Sequence, residues 1–353
     1  MTDLPKVSIV IAYYKNLKDT DECLASLLKT NYSNFEVILV DNASNDGATE
    51  FFAKKYPQII IAKNNANLGS TGAWNRGYTL INNNSKYVAF IDNDLTFDPE
   101  WLIKLVETIE KDSTIGGCQP KILHYWDPKK FDYNGSSGIW MDLYGYPINR
   151  GRVFYFIEED KGQYQSTCET FFIGGSVCFI PTHILKETEL FDESFFARAH
   201  EELDLSWRIR LAGYKLFCVP SSVVFHKSHM GSGKKLGSIT LYMKHRNNVY
   251  MMIKNYSLKS LLRYIPFRFF LDLASLIPNG LAPIKAYFWI VKNFKLIWTH
   301  RVIVQLKIRK FSDKQVTSIC ILQPSPILSI FSGYKTWRDF LSVNPQIYNP
   351  VEY

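Results

Sequence analysis

With 353 residues, 46% hydrophobic and 21% charged, the chain can bury a full core, which excludes intrinsic disorder and suits two modest domains or one α/β domain with a tail. The net charge of +8 is uneven: Leu236 to Tyr353 holds 16 Lys+Arg against 4 Asp+Glu, so this tail carries +12 and the remainder −4. A basic, aromatic tail behind an acidic front points to an anionic surface as the tail's partner. No run of about 18 uncharged apolar residues marks a membrane span. Met1–Lys6 lacks the apolar stretch of a secretory signal, so a cytoplasmic protein is expected. The six cysteines show no CxxC pair and no zinc spacing, and read as reduced, buried thiols.

The first third alternates strand and helix patterns. Val7–Tyr13 is an apolar, β-branched run that predicts a buried strand, and Leu17–Leu28 a helix. Phe35–Val40, Ile59–Ala62 and Tyr87–Ile91 predict further strands, with helices over Ser70–Ile81 and over Pro99–Ile109, where proline suits the first turn. This order predicts a mostly parallel sheet covered on both faces, with ligands gathering at the carboxyl ends of its strands. The middle of the chain is mixed. Gly135–Arg152 reads as loops or a hairpin, Phe171–Ile180 as a strand broken at Gly174-Gly175, and Glu201–Leu211 as a helix closed by Gly213. Leu216–Val219 and Val223–Phe225 read as two short strands around Pro220. The tail opens near Gly231-Ser232-Gly233. Leu258–Ile277 and Leu281–Trp298 are aromatic and aliphatic with interleaved basic residues, which predicts amphipathic helices at a membrane interface or a helical subdomain packed on the core.

The chemistry-bearing pattern centres on Asp92-Asn93-Asp94 behind the strand ending at Ile91. Two carboxylates two residues apart at a sheet mouth can face one hard cation and a diphosphate, or merely cap a turn. Its context is Asp41-Asn42-Ala43-Ser44-Asn45-Asp46-Gly47 after the second strand, then Asn67-Leu68-Gly69 and Asn75-Arg76-Gly77 after the third. Farther on come Gly174-Gly175, and Glu201-Glu202 ahead of Leu203-Asp204-Leu205-Ser206-Trp207-Arg208. Taken in order, these motifs resemble the family 2 glycosyltransferases, inverting enzymes of the GT-A fold, and within them the rhamnosyltransferase-like branch. The resemblance covers about Lys6 to Lys254.

The resemblance implies a catalytic domain over 1–235, with a nucleotide-sugar half to about 115 and an acceptor half beyond it, while the basic, aromatic composition of 236–353 predicts a helical, membrane-associating region. It implies that Asp41 holds the nucleobase and that Ala12 and Tyr13 line base and ribose. It places Asn67, Gly69, Asn75, Asp92 and Asn93 along the donor. It implies a Mg or Mn ion on Asp92 and Asp94, with His226 as a third ligand. The family usually has Glu-Asp where this chain has Glu201-Glu202; the second residue is the general base, so Glu202 takes that role and Glu201 is the lesser candidate. Gly174, Gly175 and Arg246 fall near the acceptor. Lys234 and Lys235 either close over the diphosphate or are solvated surface charge. Asp204, Trp207, Arg208 and Arg210 read as structural partners one helical turn apart.

The expected donor is a UDP-, dTDP- or GDP-linked sugar. The expected acceptor is a glycan or polyprenyl-linked hydroxyl at the inner face of the cell membrane, and the composition also permits a homo-oligomer. A processive enzyme is disfavoured because QxxRW is absent. A sugar nucleotidyltransferase would need a Gly-rich basic loop after the first strand, where Ala12-Tyr13-Tyr14-Lys15-Asn16 stands instead. A non-catalytic glycan- or membrane-binding module is the remaining alternative. Nucleic acid is excluded as a partner, because the basic segment carries long aliphatic runs in place of a polar recognition face.

Overall fold

The computed structural model describes residues 4–174, 176–195, 199–228 and 237–347. Strand β1 (Val7–Tyr13) is a run of Val and Ile in which only Ala12 escapes full burial, as a strand covered on both faces requires. It pairs in parallel with β2 (Phe35–Asp41) and β4 (Tyr87–Ile91), and β2 pairs in parallel with β3 (Ile60–Lys63). Helices α1 (Leu17–Leu27), α2 (Ala48–Lys55) and α3 (Gly69–Tyr78) supply the crossovers. This is the expected βαβ half: β1 and β4 keep their predicted bounds, β2, β3, α1 and α3 shift by one to three residues, and α2 was not predicted.

Beyond β4 the chain adds β5 (Leu95–Phe97), α4 (Trp101–Ile109) and the long β6 (Ile115–His124). Four short strands, β7 (Ile139–Met141), β8 (Pro147–Asn149), β9 (Arg152–Val153) and β10 (Phe156–Ile157), make a separate small sheet where loops or a hairpin were expected. Then follow β11 (Cys168–Thr170), β12 (Val177–Pro181), α5 (Thr182–Thr188), α6 (Glu201–Leu211) and β13 (Lys215–His226). The predicted strand over Phe171–Ile180 is confined to its second half. The two predicted strands around Pro220 are one strand, whose register slips between Val219 and Val223 and so accommodates the proline.

Among the described residues the main sheet has the order β11-β13-β6-β12-β4-β1-β2-β3, with β5 attached to β13. Strand β12 runs antiparallel to both β4 and β6, while β13 is parallel to β6. The carboxyl ends of β1, β2, β4, β6 and β13 therefore share one edge with the first residues of β12, and this edge carries the site.

The tail is helical: α7 (Ser238–Asn255), α8 (Leu258–Ala274), the single turn α9 (Leu276–Asn279), α10 (Ala282–Lys292) and α11 (Phe294–Ile303). One core joins Phe171, Trp207 and Leu211 to Tyr250, Tyr256 and Ile297, so the tail packs on the middle of the chain. Trp207 stands edge-on to Tyr256 at 4.6 Å. No helix among the described residues is long and apolar enough to cross a membrane. All six cysteines are free and buried.

Candidate active site

The backbone N–H of Asp92, leaving β4, donates to the Ser176 carbonyl at 3.0 Å. Three residues later the chain pairs as β5 with the end of β13, in the register His226 to Leu95. That pairing places His226 Nε2 3.2 Å from Asp94 Oδ1, while its Nδ1 lies 2.9 Å from Asp132 Oδ1. One ligand atom each from Asp92, Asp94 and His226 fall within 4.8 Å of one another. Burial and then the charge of Asp94 push the Asp92 carboxyl up to about 7. Burial opposes the charged form of His226, but Asp132 and then Asp94 outweigh it and hold the ring well above the ordinary imidazole range.

Two carboxylate oxygens and an imidazole nitrogen are a donor set for Mg or Mn, and the imidazole favours Mn. The residues fit a cation: crowded carboxylates raise one another's pKa where no cation stands between them, and Asp132 holds the far nitrogen of the His226 ring, fixing its orientation.

Helix α1 braces this loop. The Asn93 side chain donates to Thr20 Oγ1 at 2.7 Å. The Lys227 N–H donates to the Asp94 carbonyl at 3.1 Å, and its buried ammonium pairs with Asp19 at 2.8 Å and also with Glu22.

The nucleotide-side residues lie farther along the same edge, with Tyr13 in register with Asp41. The Asp41 carboxylate accepts from the Ser44 N–H at 2.9 Å and the Thr49 hydroxyl at 2.7 Å. Tyr13 donates to Asp46 at 2.6 Å, and burial together with Asp46 pushes its phenol above the usual range. Ala12, opposite Val40, is half-buried. Asn67 and Gly69 are knitted together by Asn42, whose side-chain amide donates to Asn67 Oδ1 at 2.8 Å and to the Gly69 carbonyl at 3.0 Å. Gly69 has φ +72°, the left-handed region that glycine tolerates. Asn75 is engaged elsewhere: its amide donates to the Phe191 carbonyl and to Glu193, each at 2.9 Å.

Helix α6 begins after two non-glycine residues with positive φ, Ala199 (+110°) and His200 (+76°), a strain of the kind that concentrates at functional sites. Glu201 is buried. Its Oε1 accepts from Ser70 Oγ of α3 at 3.2 Å and its Oε2 from the Ala199 N–H at 2.9 Å, and burial raises its pKa. Glu202 is partly exposed and packs against Gly174. Burial and then Glu202, Asp92 and Glu201 drive the Cys178 thiol well above its ordinary value. Gly175 lies outside the described residues, as do Gly231-Ser232-Gly233, Lys234 and Lys235.

Of the residues expected as structural partners of Asp204, Arg208 is one, whereas Arg210 finds a partner on β11. Arg208 pairs with Asp204 at 3.0 Å, and Lys254 and Asn255 also bond Asp204. Arg210 pairs with Glu169. Arg246 donates to the Ser194 carbonyl at 2.8 Å and to Asn247, with its guanidinium 4.7 Å from the Trp289 ring. A cavity of about 450 Å³ lies away from the aspartate loop, lined among others by Asn75, Asp192, Lys254 and His300. Within it Lys254 pairs with Asp192 at 2.6 Å and His300 with Asp192 at 3.1 Å. The sequence reading missed Asp132, Lys227, Ser70 and Asn42 as supports of the site. Only Asn42 stood inside a recognised motif.

Solved structures share this architecture. The crystal structure of GalNAc-T7 with UDP, GalNAc and Mn2+ superposes with a TM-score of 0.57 at 16% identity, covering 74% of this chain and 49% of that one. Mannosyltransferase PcManGT from Pyrobaculum calidifontis, in complex with GDP-Man and Mn2+, gives a TM-score of 0.51 at 13% identity, covering 94% and 89%. Both are likenesses of fold, and they bear out the expected GT-A class. An uncharacterized glycosyltransferase of Haemophilus influenzae is 30% identical over 118 residues, 33% of this chain and 36% of that protein. The chain spans little more than a third of the length of the first curated relatives it matches. Residues 8–176, which carry the aspartate loop and the first half of the sheet edge, match the family model Glycosyl transferase family 2.

Proposed function

We propose that this protein is an inverting glycosyltransferase that moves a sugar from a nucleoside-diphosphate donor to an acceptor hydroxyl. The observation that carries the reading is the Asp92–Asp94–His226 cluster at the carboxyl edge of a sheet whose residues 8–176 match a glycosyltransferase family model. The nucleotide would lie along Tyr13, Asp41, Asn67 and Gly69, with its diphosphate at Asp92 and Asp94. A divalent cation held by Asp92, Asp94 and His226 would offset the charge that builds on the departing diphosphate.

Glu202 acts as general base. It takes the proton of the acceptor hydroxyl as that oxygen bonds to the anomeric carbon, on the face opposite the breaking bond to diphosphate. Glu202 suits this role better than Glu201, because Glu201 is buried while Glu202 is partly exposed. Gly174 leaves the room in which the Glu202 carboxylate sits. The catalytic body is residues 1–235, and the acceptor is a glycan or polyprenyl-linked hydroxyl.

The test is a hydrolysis screen of the full chain over UDP-, GDP- and dTDP-sugars with Mg2+ or Mn2+. Release of nucleoside diphosphate from one donor class, lost on chelation, is expected. No release from any donor, or release unaffected by chelator, overturns the reading.

A further inference from the structure

The tail helices pack one face on the core and leave large apolar residues exposed on another. On α8, Arg268 and Asp272 are buried and paired at 3.0 Å, and Asp272 also meets His245 at 2.9 Å. The neighbouring side of α8–α9 exposes Leu258, Leu262, Phe269, Leu273 and Ile277, at intervals of four or seven that keep them on one face, and Phe267 and Phe270 beyond it are exposed as well. Ile277 is 97% exposed. The next two helices repeat the arrangement. Ala286, Ile290 and Ile297 face the core, while Ile284, Phe288, Val291, Trp298 and Val302 face out, with Phe288 71% and Val291 75% exposed. Water penalises such a face, and stripes of this length mark a docking surface.

Its surroundings name the occupant. From residue 257 to 309 there are nine Lys+Arg and one acid, Asp272, which is buried. Lys259, Arg263, Lys285, Lys292, Lys295 and Lys307 are exposed beside the stripes. A symmetric pairing of two copies through this face would bring like-charged rims together, which disfavours a dimer. A span is excluded by length and hydropathy. Basic side chains around an exposed aromatic and aliphatic face are the chemistry of an anionic bilayer surface.

We propose that the outer face of α8–α11 docks on an anionic lipid bilayer, with the apolar stripes in the headgroup region and the lysines at its rim. The docked face is tied to the catalytic helix. Arg268 donates to Asn248, Asn248 Nδ2 lies 3.2 Å from His200 Nε2, and His200 is the residue from which α6 and its glutamates begin. Docking therefore fixes the orientation of the active-site cleft relative to the membrane.

The test sediments the full chain with vesicles of phosphatidylcholine and phosphatidylglycerol in equal parts, and with phosphatidylcholine alone. Binding to the anionic vesicles that weakens with salt is expected. Phe288→Asp combined with Val291→Asp, or Lys285→Glu with Lys292→Glu, should lower the partition coefficient by at least about tenfold. A parent chain that stays in the supernatant overturns the proposal, as does undiminished binding by both double variants. So does a parent dimer that Phe288→Asp/Val291→Asp converts to monomer, since a second copy would then cover the face. Donor hydrolysis without vesicles, measured on the same variants, should be unchanged. The docking proposal and the catalytic reading therefore fail separately.

Discussion

Gly174 lies directly against Glu202: a methyl group on its Cα would sit 2.9 Å from the Glu202 Cβ and 3.0 Å from its carboxyl carbon. The side chain proposed as general base thus occupies space that only glycine leaves at position 174. Gly174→Ala is expected to swing that carboxylate away. Turnover should fall about a hundredfold while donor affinity stays within about threefold, the pattern of a misplaced base. Steady-state kinetics with calorimetric donor binding separates the two effects.

Asp94→Asn removes a carboxylate from the Asp92–Asp94–His226 cluster and the ion pair of His226 Nε2. Mn2+ affinity, read by calorimetry on the nucleotide-free protein, should fall at least about tenfold. Unchanged Mn2+ binding would show that the cation, if any, is held elsewhere.

Lys227 is buried between Asp19 and Glu22 of α1, and its backbone holds the Asp94 carbonyl. Lys227→Met removes the ammonium that Asp19 and Glu22 share and should destabilise the fold by about 3 kcal/mol. A lowered Tm together with weaker Mn2+ binding is expected. An unchanged Tm would mean that the brace contributes nothing.

Between the tail and α6, Asp192 accepts from Lys254 at 2.6 Å and meets His300 at 3.1 Å. Burial would raise its pKa, but Lys254 and then His300 hold it well below the ordinary carboxylate range. A carboxyl depressed in the folded state stabilises above its unfolded pKa, near 3.9, and that contribution fades as pH falls below about 4. Acid unfolding should therefore begin near that pH. Asp192→Asn should lower stability at pH 7 and flatten its decline below pH 4, as denaturant melts across pH can show.

The sequence pattern located β1, β4 and α6 with the boundaries the structure shows, because each is a periodic or β-branched run between turn signals. It missed β6, whose first half, Ile115-Gly116-Gly117-Cys118-Gln119-Pro120, carries two glycines and a proline in place of an apolar run. Those glycines are required by packing: a methyl at Gly116 would meet Ile209 at 2.5 Å, and at Gly117 Ile173 at 2.6 Å. Helix α7 was missed because it buries polar residues, His245 to Asn248, in hydrogen bonds that no periodicity announces. In the site, Asp92, Asp94, Glu201 and Glu202 were legible through motif order. Asp132 and Lys227 were not, since their roles arise from where the loop after β6 and the end of β13 meet in space.

The most direct test of the catalytic account is Glu202→Gln beside Glu201→Gln, each assayed for sugar transfer and for donor binding. Glu202→Gln should bind donor as the parent does and lose about a thousandfold in turnover, with Glu201→Gln affected much less. Turnover by Glu202→Gln within about threefold of the parent would contradict the account.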